Sequence, residues 1–405
     1  MAVKQALEGL KVLDFTWVAA GPLLTKYLAD HGAQVVKVES ATAIDSARPA
    51  GPYKDNIPGI NRGGTFVGQN SSKYSLALDL NNPKQSEVTA RLVAWADVVV
   101  EAFTPRTVER WGLGYEQLKK TRPDIVMVSC TSQGQTGPDA KQPGYGWLMN
   151  AMVGFAHLTG WPDREPSSPA APYTDVVLPW FGVAALMAAL DYRRRTGKGQ
   201  HIDISHLETG LTFLRLPLLD YTANGREQTR RGNSSLNAAP HGVYRCLGDE
   251  RWCAIAVHTE EEWQGFCRAL GNPPWTRDPR FATLASRREN AAALDHLIEA
   301  WTQTRTPEEA MALLQSHGVA AGVVQSCQDI LDKDPQLRHR GSFQRLRHSE
   351  IGECNHRGWP AHLSQTPARL RPAPCLGEHT EYVLTQVLGF SPEEFQELSQ
   401  SGLFK

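Results

Sequence analysis

The sequence predicts an α/β protein, with a mostly parallel, doubly wound sheet in a larger domain and a smaller α+β domain. Two observations carry this prediction. Up to about residue 195, short apolar segments alternate with segments of helical periodicity, as expected for a parallel sheet covered by helices on both faces. Near residue 225 the chain becomes polar and rich in Gly, Ser and Asn, as expected for a connection. A length of 405 residues suffices for two or three domains.

The first 40 residues show the α/β pattern most clearly. An apolar run at 10–15 predicts a buried strand, residues 23–32 predict a short helix closed by Gly32, and residues 33–39 predict a second strand. Together these segments form a βαβ unit. Further elements follow in alternation, with strands at 74–80, 97–103 and 125–132 and helices at 83–96, 115–121 and 176–195.

The second half of the chain predicts a different architecture. We expect the smaller domain to span residues 225–325 and to begin with two short strands around a Gly-Asp turn at 248–249, followed by a helix. The tail from residue 326 contains loops and turns, and it ends in two short helical segments joined at Ser391-Pro392.

Composition argues against several classes of partner. Lys and Arg number 42 against 43 Asp and Glu, so the formal net charge of -1 favours neither nucleic acid nor an anionic membrane. The seven cysteines are scattered, without C-x-x-C pairs or a metal-ligand spacing, which indicates a reducing compartment and no metal site. The N-terminus has no signal pattern, and no apolar run reaches the roughly 18 residues of a membrane span. We therefore expect a soluble cytoplasmic protein.

Asp175 is notable because it lies at the mouth of the predicted 176–195 helix, in the sequence APYTDVVLPW. A carboxylate in apolar surroundings is costly unless it is paired or hydrogen-bonded. One interpretation is an N-cap, which accepts hydrogen bonds from the first N–H groups of the helix. The other is a nucleophile that is kept ionised at a helix start. The neighbouring residues leave both interpretations open.

The remaining motifs are weaker. The turn VAAGP occupies the place of a dinucleotide-binding loop but lacks G-x-G-x-x-G, which argues against a nicotinamide enzyme. Three basic residues flank predicted strands: Lys73, Arg110 and Lys141. They either bind the phosphates of a ligand or are solvated side chains at the surface. His206 has no partner at a recognisable spacing, so we expect a structural role for it.

Nine segments of the sequence occur in an order and at a spacing typical of one protein family. They are LEGLKVLDFTWVAAGP, GAQVVKVE, NSSKYSLALDL, ADVVVEAFTPRTVERWGLGYEQL, PDIVMVSCTSQGQTGP, PGYG, YTDVV, RRRTGKGQHIDIS and LGEHTEYVLTQVLG. These segments span nearly the whole chain and resemble the class III CoA-transferases, the family of formyl-CoA transferase, carnitine CoA-transferase and α-methylacyl-CoA racemase. The resemblance implies a Rossmann-like large domain built from residues 1–224 and 326–405, a small domain between them, and two interlocked subunits.

The resemblance also implies roles for individual residues. The family's nucleophilic aspartate falls on Asp175, which favours the second interpretation above. Lys73 and Arg110 match positions that hold the CoA phosphates and adenine, and Tyr145 matches a tyrosine that lines the acyl site. The racemase branch has a histidine at the position of Tyr145. A phenol with a pKa of about 10 is a poor base at neutral pH, which argues against racemisation.

Two departures from the formyl-CoA transferases concern the acyl pocket. Ala19 stands where those enzymes have a glutamine, and GNSSLNAAPHGVYRC stands where they have a glycine-rich lid. A missing polar side chain disfavours formate and oxalate and favours an acceptor with apolar bulk. The segment from NAAPHGVYRC to ERWCAIAV resembles the subunits of succinyl-CoA:benzylsuccinate CoA-transferase, which form a heterodimer. We therefore expect succinyl-CoA as donor and a substituted succinate, such as benzylsuccinate, as acceptor.

The implied reaction moves CoA between two acids without ATP, so the energy of the thioester has to be kept. A carboxylate nucleophile keeps it by forming an aspartyl anhydride and then an aspartyl-CoA thioester. Coenzyme A enters as a substrate, with no tightly bound cofactor, and the partner chain is either identical or a related subunit. Two alternatives stay open: an acyl-CoA epimerase of the same fold, and a CoA-binding subunit without chemistry of its own.

Overall fold

The computed structural model describes residues 4–404, which divide into two compact units. The first unit comprises the chain up to Phe155, Ser168–Glu227 and the chain from Leu337 onwards. The second comprises Ala156–Ser167 and Gln228–Gln336. The first unit is therefore built from both ends of the chain.

A six-stranded parallel sheet forms the centre of the first unit. Its strands are β1 (Lys11–Phe15), β2 (Gln34–Glu39), β3 (Tyr74–Ala77), β4 (Val98–Glu101), β5 (Val126–Thr131) and β6 (His201–Ser205). They lie in the order β3-β2-β1-β4-β5-β6, with Val12 of β1 opposite Val35 on one side and Val98 on the other. This order reverses direction between β1 and β4, and in such sheets ligands bind in the crevice beyond the strand ends at that point. The predicted α/β class with a parallel sheet is confirmed.

The helices follow the strands in alternation. Within residues 4–404 the α-helices are α1 (Ala20–Asp30), α2 (Gly64–Gln69), α3 (Gln85–Trp95), α4 (Thr107–Arg110), α5 (Tyr115–Thr121), α6 (Gly146–Val153), α7 (Phe155–Leu158), α8 (Tyr173–Thr196), α9 (His206–Leu211), α10 (Arg215–Asn224), α11 (Glu260–Ala269), α12 (Leu284–Glu289), α13 (Ala291–Thr302), α14 (Pro307–Ser316), α15 (Pro335–His339), α16 (Thr380–Tyr382) and α17 (Pro392–Gln400). Short 3₁₀ turns cover Lys54–Asn56, Thr212–Leu214, Pro274–Arg277 and Pro279–Phe281, and π-turns cover Asp329–Lys333 and Val383–Val387.

Apolar side chains cover both faces of the parallel sheet, because buried parallel strands present alternate residues to each side. Helices α1 and α8 bury Leu24, Leu28 and Leu186 on the face formed by Val12, Val98 and Val126. Helices α3, α5 and α17 bury Leu92, Leu118 and Leu398 on the opposite face. Helix α17 belongs to the C-terminal segment, so the N-terminal and C-terminal segments contribute side chains to the same core.

Helix α8 is the element that carries Asp175. By length and composition it is the one described helix that is apolar enough to cross a membrane. Its side chains Leu178 and Leu186 are fully buried against the sheet, together with those of α1. Its apolar composition is therefore that of a core helix.

The second unit contains a three-stranded antiparallel sheet in the order β7-β8-β9. Its strands are β7 (His241–Arg245), β8 (Trp252–Ala256) and β9 (Ala320–Val323). Helices α11 and α14 begin with capping boxes at Thr259 and Thr306, in which the cap hydroxyl and a glutamate three residues on satisfy each other's backbone N–H groups. Trp263, Phe266 and Leu314 are buried in one apolar cluster with the sheet.

Three strand features differ from the sequence-based prediction. Strand β6 was not predicted, since its five residues alternate in burial without forming an apolar run. Strand β9 is a short Ala-Gly segment of weak strand propensity. The tail contains an antiparallel pair, β10 (Phe343–His348) and β11 (Gly352–Arg357), where we expected loops, because polar residues dominate both strands.

Three fully buried ion pairs lie near the carboxyl ends of β1 and β2. Lys73 Nζ lies 2.9 Å from Asp14 Oδ2, and Lys37 Nζ lies 3.0 Å from Asp45 Oδ2. The third pair joins Arg48 and Glu39 by two parallel hydrogen bonds of 2.8 Å. Buried charges are costly unless each is paired and hydrogen-bonded, so these pairs restrict the loops that bring them together to one arrangement.

The loop after β1 depends directly on this cluster. Val18 has a φ of 69°, a left-handed conformation that is unfavourable for a β-branched residue. Asp45 Oδ1 accepts a hydrogen bond of 2.9 Å from the backbone N–H of Val18, and Lys37 donates to the carbonyl oxygen of Thr16. The Lys37–Asp45 pair thus binds the backbone at the strained residue and two residues before it.

We expect Lys73→Met to destabilise the first unit by about 3–5 kcal/mol, because it leaves the buried Asp14 carboxylate without its cation. Urea denaturation of the purified chain measures the effect. Lys84→Met is the matched control, since Lys84 forms an ion pair with Glu397 at the surface and its loss should leave the denaturation midpoint nearly unchanged. Equal midpoints for the two variants would contradict the structural role of Lys73.

Candidate active site

A cavity of about 370 Å³ lies within the first unit at the carboxyl ends of β1, β4, β5 and β6. Its position is the switch point of the sheet, where parallel α/β proteins bind ligands. The residues that line it are Trp17, Val18, Ala19, Ala20, Gly21, Ser46, Ala102, Phe103, Thr104, Pro105, Cys130, Thr131, Ser132, Ala140, Gln142, Pro143, Gly144, Tyr145, Asp175 and His206. Two of them, Asp175 and His206, carry side chains that suit nucleophilic or acid/base chemistry.

Asp175 lies in the first turn of α8, where Pro172 is the N-cap residue. The N-cap interpretation of Asp175 is therefore wrong: its carboxylate accepts a hydrogen bond from the backbone N–H of Gly146 in α6 instead. Gly146 has no substitute here, since a Cβ atom at this position would lie 2.5 Å from the Asp175 carboxylate. The carboxylate thus lies at the N-terminal ends of two helices, where the helix dipoles favour negative charge.

Burial dominates the acidity of Asp175. It raises the pKa of the carboxyl group to about 6, against the opposing effect of the Gly146 N–H. The group therefore remains mostly ionised at neutral pH while it is poorly solvated. A carboxylate in this state is a better nucleophile than one at the surface, because little water has to be removed before it attacks.

His206 begins α9, directly after β6, and lies beside Asp175. Its Nδ1 is 3.3 Å from Asp175 Oδ1, although the two atoms are not aligned for a hydrogen bond. Burial lowers the pKa of the imidazole to about 4, so the ring is neutral at physiological pH. The sequence-based expectation of a purely structural His206 did not foresee this position, since the ring and Asp175 come from distant parts of the chain.

Backbone groups border the cavity on the opposite side. The first turn of α1 contains Ala20 and Gly21, which line the cavity. The N–H groups of a first helical turn have no partner within the helix. Ala19, predicted as a substrate-binding residue, is the N-cap of α1 and lines the cavity. The strained Val18 precedes it, so the buried Lys37–Asp45 pair sets the position of this wall.

Aromatic rings form an apolar part of the wall. Trp17 and Phe103 contact each other edge to face, with ring centroids 5.4 Å apart. Tyr145, the predicted acyl-site residue, lines the cavity and is 67% exposed. Trp147, two residues further on, does not line the cavity.

The three residues expected to bind CoA differ in their environments. Lys73 is buried, and its ammonium group donates to Asp14, Asn70 and the carbonyl oxygen of Pro22, which uses all three of its protons. In this arrangement the ammonium group is engaged by protein groups alone, and the phosphate contact of Lys73 stays a prediction. Arg110 is exposed on α4, and Lys141 is exposed between two residues that line the cavity.

Two site residues escaped the sequence analysis. The sequence does not mark Gly146, because the side chain that requires a glycine there, Asp175, is 29 positions away. Only the fold brings the two residues together. His206 could have been noticed, since it follows the last parallel strand, but that strand was not predicted. Among residues 4–404 no group of three or more His, Cys, Asp or Glu side chains could hold a metal ion.

The sequence is similar to known proteins along nearly its whole length. A family model described as CoA-transferase family III matches residues 7–380. Succinyl-CoA–D-citramalate CoA-transferase of Chloroflexus aurantiacus is 32% identical over 389 residues, 96% of this chain and 95% of the relative. Formyl-CoA:oxalate CoA-transferase of a Bradyrhizobium species is also 32% identical, over 98% of this chain and 97% of the relative.

A solved structure agrees with these matches. The CaiB/BaiF family protein from Brucella suis is 32% identical and superposes with a TM-score of 0.86, over 95% of this chain and 100% of that chain. Since the family model spans most of the sequence and the relatives match over nearly their whole length, this chain belongs to CoA-transferase family III and is an enzyme of that class.

Proposed function

We propose that this enzyme transfers CoA from succinyl-CoA to a substituted dicarboxylic acid, with Asp175 as the nucleophile. The observation that carries the proposal is the Asp175 carboxylate, which is buried, ionised at neutral pH and located in the cavity at the switch point of the sheet. Membership of a CoA-transferase family supports the reaction class. The choice of acids rests on the walls of the cavity.

The reaction proceeds in two symmetrical halves. An Asp175 oxygen attacks the thioester carbonyl of the donor, the C–S bond breaks, and CoA leaves as a thiolate, giving a mixed anhydride. The thiolate then attacks the Asp175 carbonyl carbon and releases the donor acid, giving an aspartyl-CoA thioester. The acceptor carboxylate attacks this thioester and expels CoA. The thiolate finally attacks the acceptor's carbonyl carbon, forming the new acyl-CoA and restoring the Asp175 carboxylate.

Each of these steps passes through a tetrahedral oxyanion. The backbone N–H groups of Ala19, Ala20 and Gly21 border the cavity at the start of α1, and we assign the oxyanion contacts to them. The Lys37–Asp45 pair holds this loop in place before substrate arrives, so no reorganisation is required during the reaction. Water has to be excluded, since hydrolysis of either intermediate ends the cycle.

Coenzyme A is a substrate in this proposal, and no tightly bound cofactor is required. We assign its phosphates to exposed basic side chains, of which Arg110 and Lys141 are the candidates. Lys73 is left out of this assignment because its ammonium protons are all engaged.

The acceptor is inferred from the cavity walls. Ala19 offers no polar side chain, and Trp17 and Phe103 provide an apolar surface nearby, which suits an acid with apolar bulk. The Chloroflexus relative is named for succinyl-CoA and a dicarboxylic acceptor, whereas the Bradyrhizobium relative is named for formyl-CoA and oxalate, at the same 32% identity. Overall similarity does not discriminate between them, so the wall residues carry the choice of a substituted succinate such as benzylsuccinate.

An acyl-CoA epimerase is the main alternative on this fold. Two-base epimerisation needs acid/base groups on opposite faces of the substrate's α-carbon, but Asp175 and His206 lie side by side, 3.3 Å apart. Exchange of the α-proton with D₂O would reveal an epimerase, whereas ¹⁸O from a labelled acid entering Asp175 would reveal a transferase. A CoA-binding subunit without chemistry would show neither.

We further propose an interlocked assembly, as a homodimer or as a heterodimer with a related subunit, in the cytoplasm. Helix α10 supports an interface, because Leu216, Leu219 and Tyr221 expose 68%, 60% and 61% of their surface. Contiguous exposed apolar side chains typically mark a contact with another chain. The seven scattered cysteines of the sequence support a reducing compartment.

Replacement of the Asp175 carboxylate should separate activity from stability. We expect Asp175→Ala and Asp175→Asn to retain less than about a hundredth of wild-type turnover while still binding CoA.

Since burial raises the pKa of Asp175 above its unfolded value, the carboxyl stabilises the fold least above pH 6. Asp175→Asn should therefore be more stable than wild type by about 2–3 kcal/mol at pH 8, with no gain at pH 4. Urea denaturation at both pH values measures the change in stability, and a CoA-transfer assay measures the turnover. An active variant would exclude Asp175 as nucleophile.

We expect Gly146→Ala to reduce turnover by more than about 100-fold, because the added methyl group displaces the Asp175 carboxylate. CoA binding should change little. Gly68→Ala is the matched control: Gly68 also lies in a helix, and a Cβ atom there meets nothing within 4 Å. The control should keep full activity. Full activity in Gly146→Ala would show that the carboxylate is not fixed at this helix end.

A substrate panel tests the proposed acids. Succinyl-CoA and formyl-CoA are offered as donors to formate, oxalate, carnitine, succinate and benzylsuccinate, with the chain alone and with any co-purifying partner. We expect transfer from succinyl-CoA, with a substituted succinate preferred by about 10-fold or more over oxalate. Preference for oxalate or carnitine would overturn the acceptor assignment and leave the role of Asp175 intact.

A further inference from the structure

His206 occupies a position that the mechanism above does not use. The imidazole is buried at the start of α9, lines the cavity and places Nδ1 at 3.3 Å from Asp175 Oδ1. Nδ1 has no hydrogen-bond partner within residues 4–404. A buried ring nitrogen without a partner is unfavourable, and the Asp175 carboxylate lies within reach of it.

Asp175 is the one acidic or basic side chain besides His206 among the described residues that line the cavity. Cys130 and Tyr145 are the only other titratable side chains among the described residues that line the cavity. The acidity of His206 is shifted by burial alone, and that of Asp175 by burial and the Gly146 N–H, so no charged side chain from α6, α8 or the sheet contributes a resolved effect to either group. The contact of 3.3 Å between Nδ1 and Oδ1 is the one approach of an ionisable side chain that the described residues show for either group.

We propose that His206 is a positioning residue, which donates a hydrogen bond from Nδ1 to Asp175 Oδ1 in the substrate-bound enzyme and so directs the other carboxylate oxygen at the thioester. A small rotation of the ring aligns the two atoms, since their separation is already within hydrogen-bonding range. The inference rests on the proposed function of Asp175.

The chemistry of the cycle explains why such a donor is useful. Asp175 loses its negative charge when it forms the anhydride and regains it when the new acyl-CoA leaves. A neutral donor stabilises the charged form at the start and end of the cycle without forming a permanent ion pair, which would quench the nucleophile. It also fixes one oxygen, so the carboxylate cannot rotate away from the attacking geometry.

Four variants test the role of His206. His206→Asn keeps an N–H donor near the position of Nδ1, His206→Gln moves it towards the position of Nε2, and His206→Leu removes it. His201→Asn is the matched control, because His201 lies at the other end of β6, bonds to Ser129 Oγ at 2.8 Å and does not line the cavity. The assay is exchange of label between succinyl-CoA and ¹³C-succinate, which needs no knowledge of the acceptor.

We expect His206→Leu and His206→Gln to lower kcat by about 10-fold to 100-fold, and His206→Asn by less than about fivefold. Since a donor favours the ionised carboxylate in the substrate complex, its loss should also move the acid limb of the kcat profile upwards by about one pH unit in the Leu and Gln variants. The control should follow wild type. Thermal denaturation and CoA binding confirm that every variant is folded.

The outcomes separate this inference from the proposed function. Suppose that Asp175→Ala is inactive and that His206→Leu matches wild type in rate and pH profile. That result overturns the role of His206 and leaves the proposed nucleophile intact. A His206→Asn as impaired as His206→Leu also overturns it, since the donor would then be irrelevant. An active Asp175→Ala overturns the proposed nucleophile. If wild type does not exchange succinate, the donor assignment is wrong, and the same variants are run with formyl-CoA and formate.

Discussion

The ion pair between Lys37 and Asp45, buried together with two others, is the constraint on which the site depends. Both side chains are fully buried at the edge of the sheet, and both also bind the loop after β1, at Thr16 and Val18. Removing either partner would leave an uncompensated charge in the core, so the loop has one arrangement that the fold tolerates. This arrangement includes the left-handed Val18 and sets the wall formed by the start of α1.

Burial also sets the acidity of Asp175. Its carboxylate is removed from water and receives one backbone N–H, which is less than full compensation for an ionised group. Burial of the ionised carboxylate therefore lowers the stability of the fold, as is common where a reactive residue is held in an apolar environment. Close contact with Gly146 limits the compensation, because no larger residue fits beside the carboxylate.

The proposed mechanism assigns chemistry and substrate choice to different groups. The Asp175 carboxylate belongs to α8 and the backbone donors to the start of α1, whereas Trp17 and Phe103 supply apolar side chains to the wall. Relatives of equal identity carry names with different acids. Function on a shared fold is decided by such local sites, so Ala19 and the aromatic pair of Trp17 and Phe103 are the positions where substrate choice is to be sought.

The sequence by itself determined the parallel α/β class, the first five strands of the large sheet, the family, and Asp175 as the residue of interest. These features depend on local periodicity or on motifs that are contiguous in the chain. The tertiary structure decided what those residues contact. Lys73 and Asp14, Gly146 and Asp175, and Asp175 and His206 are pairs formed across the fold, and spacing along the chain does not encode them. Strand β6, too polar and short to be predicted, places His206 beside Asp175, so nothing in the sequence indicated that these two side chains meet.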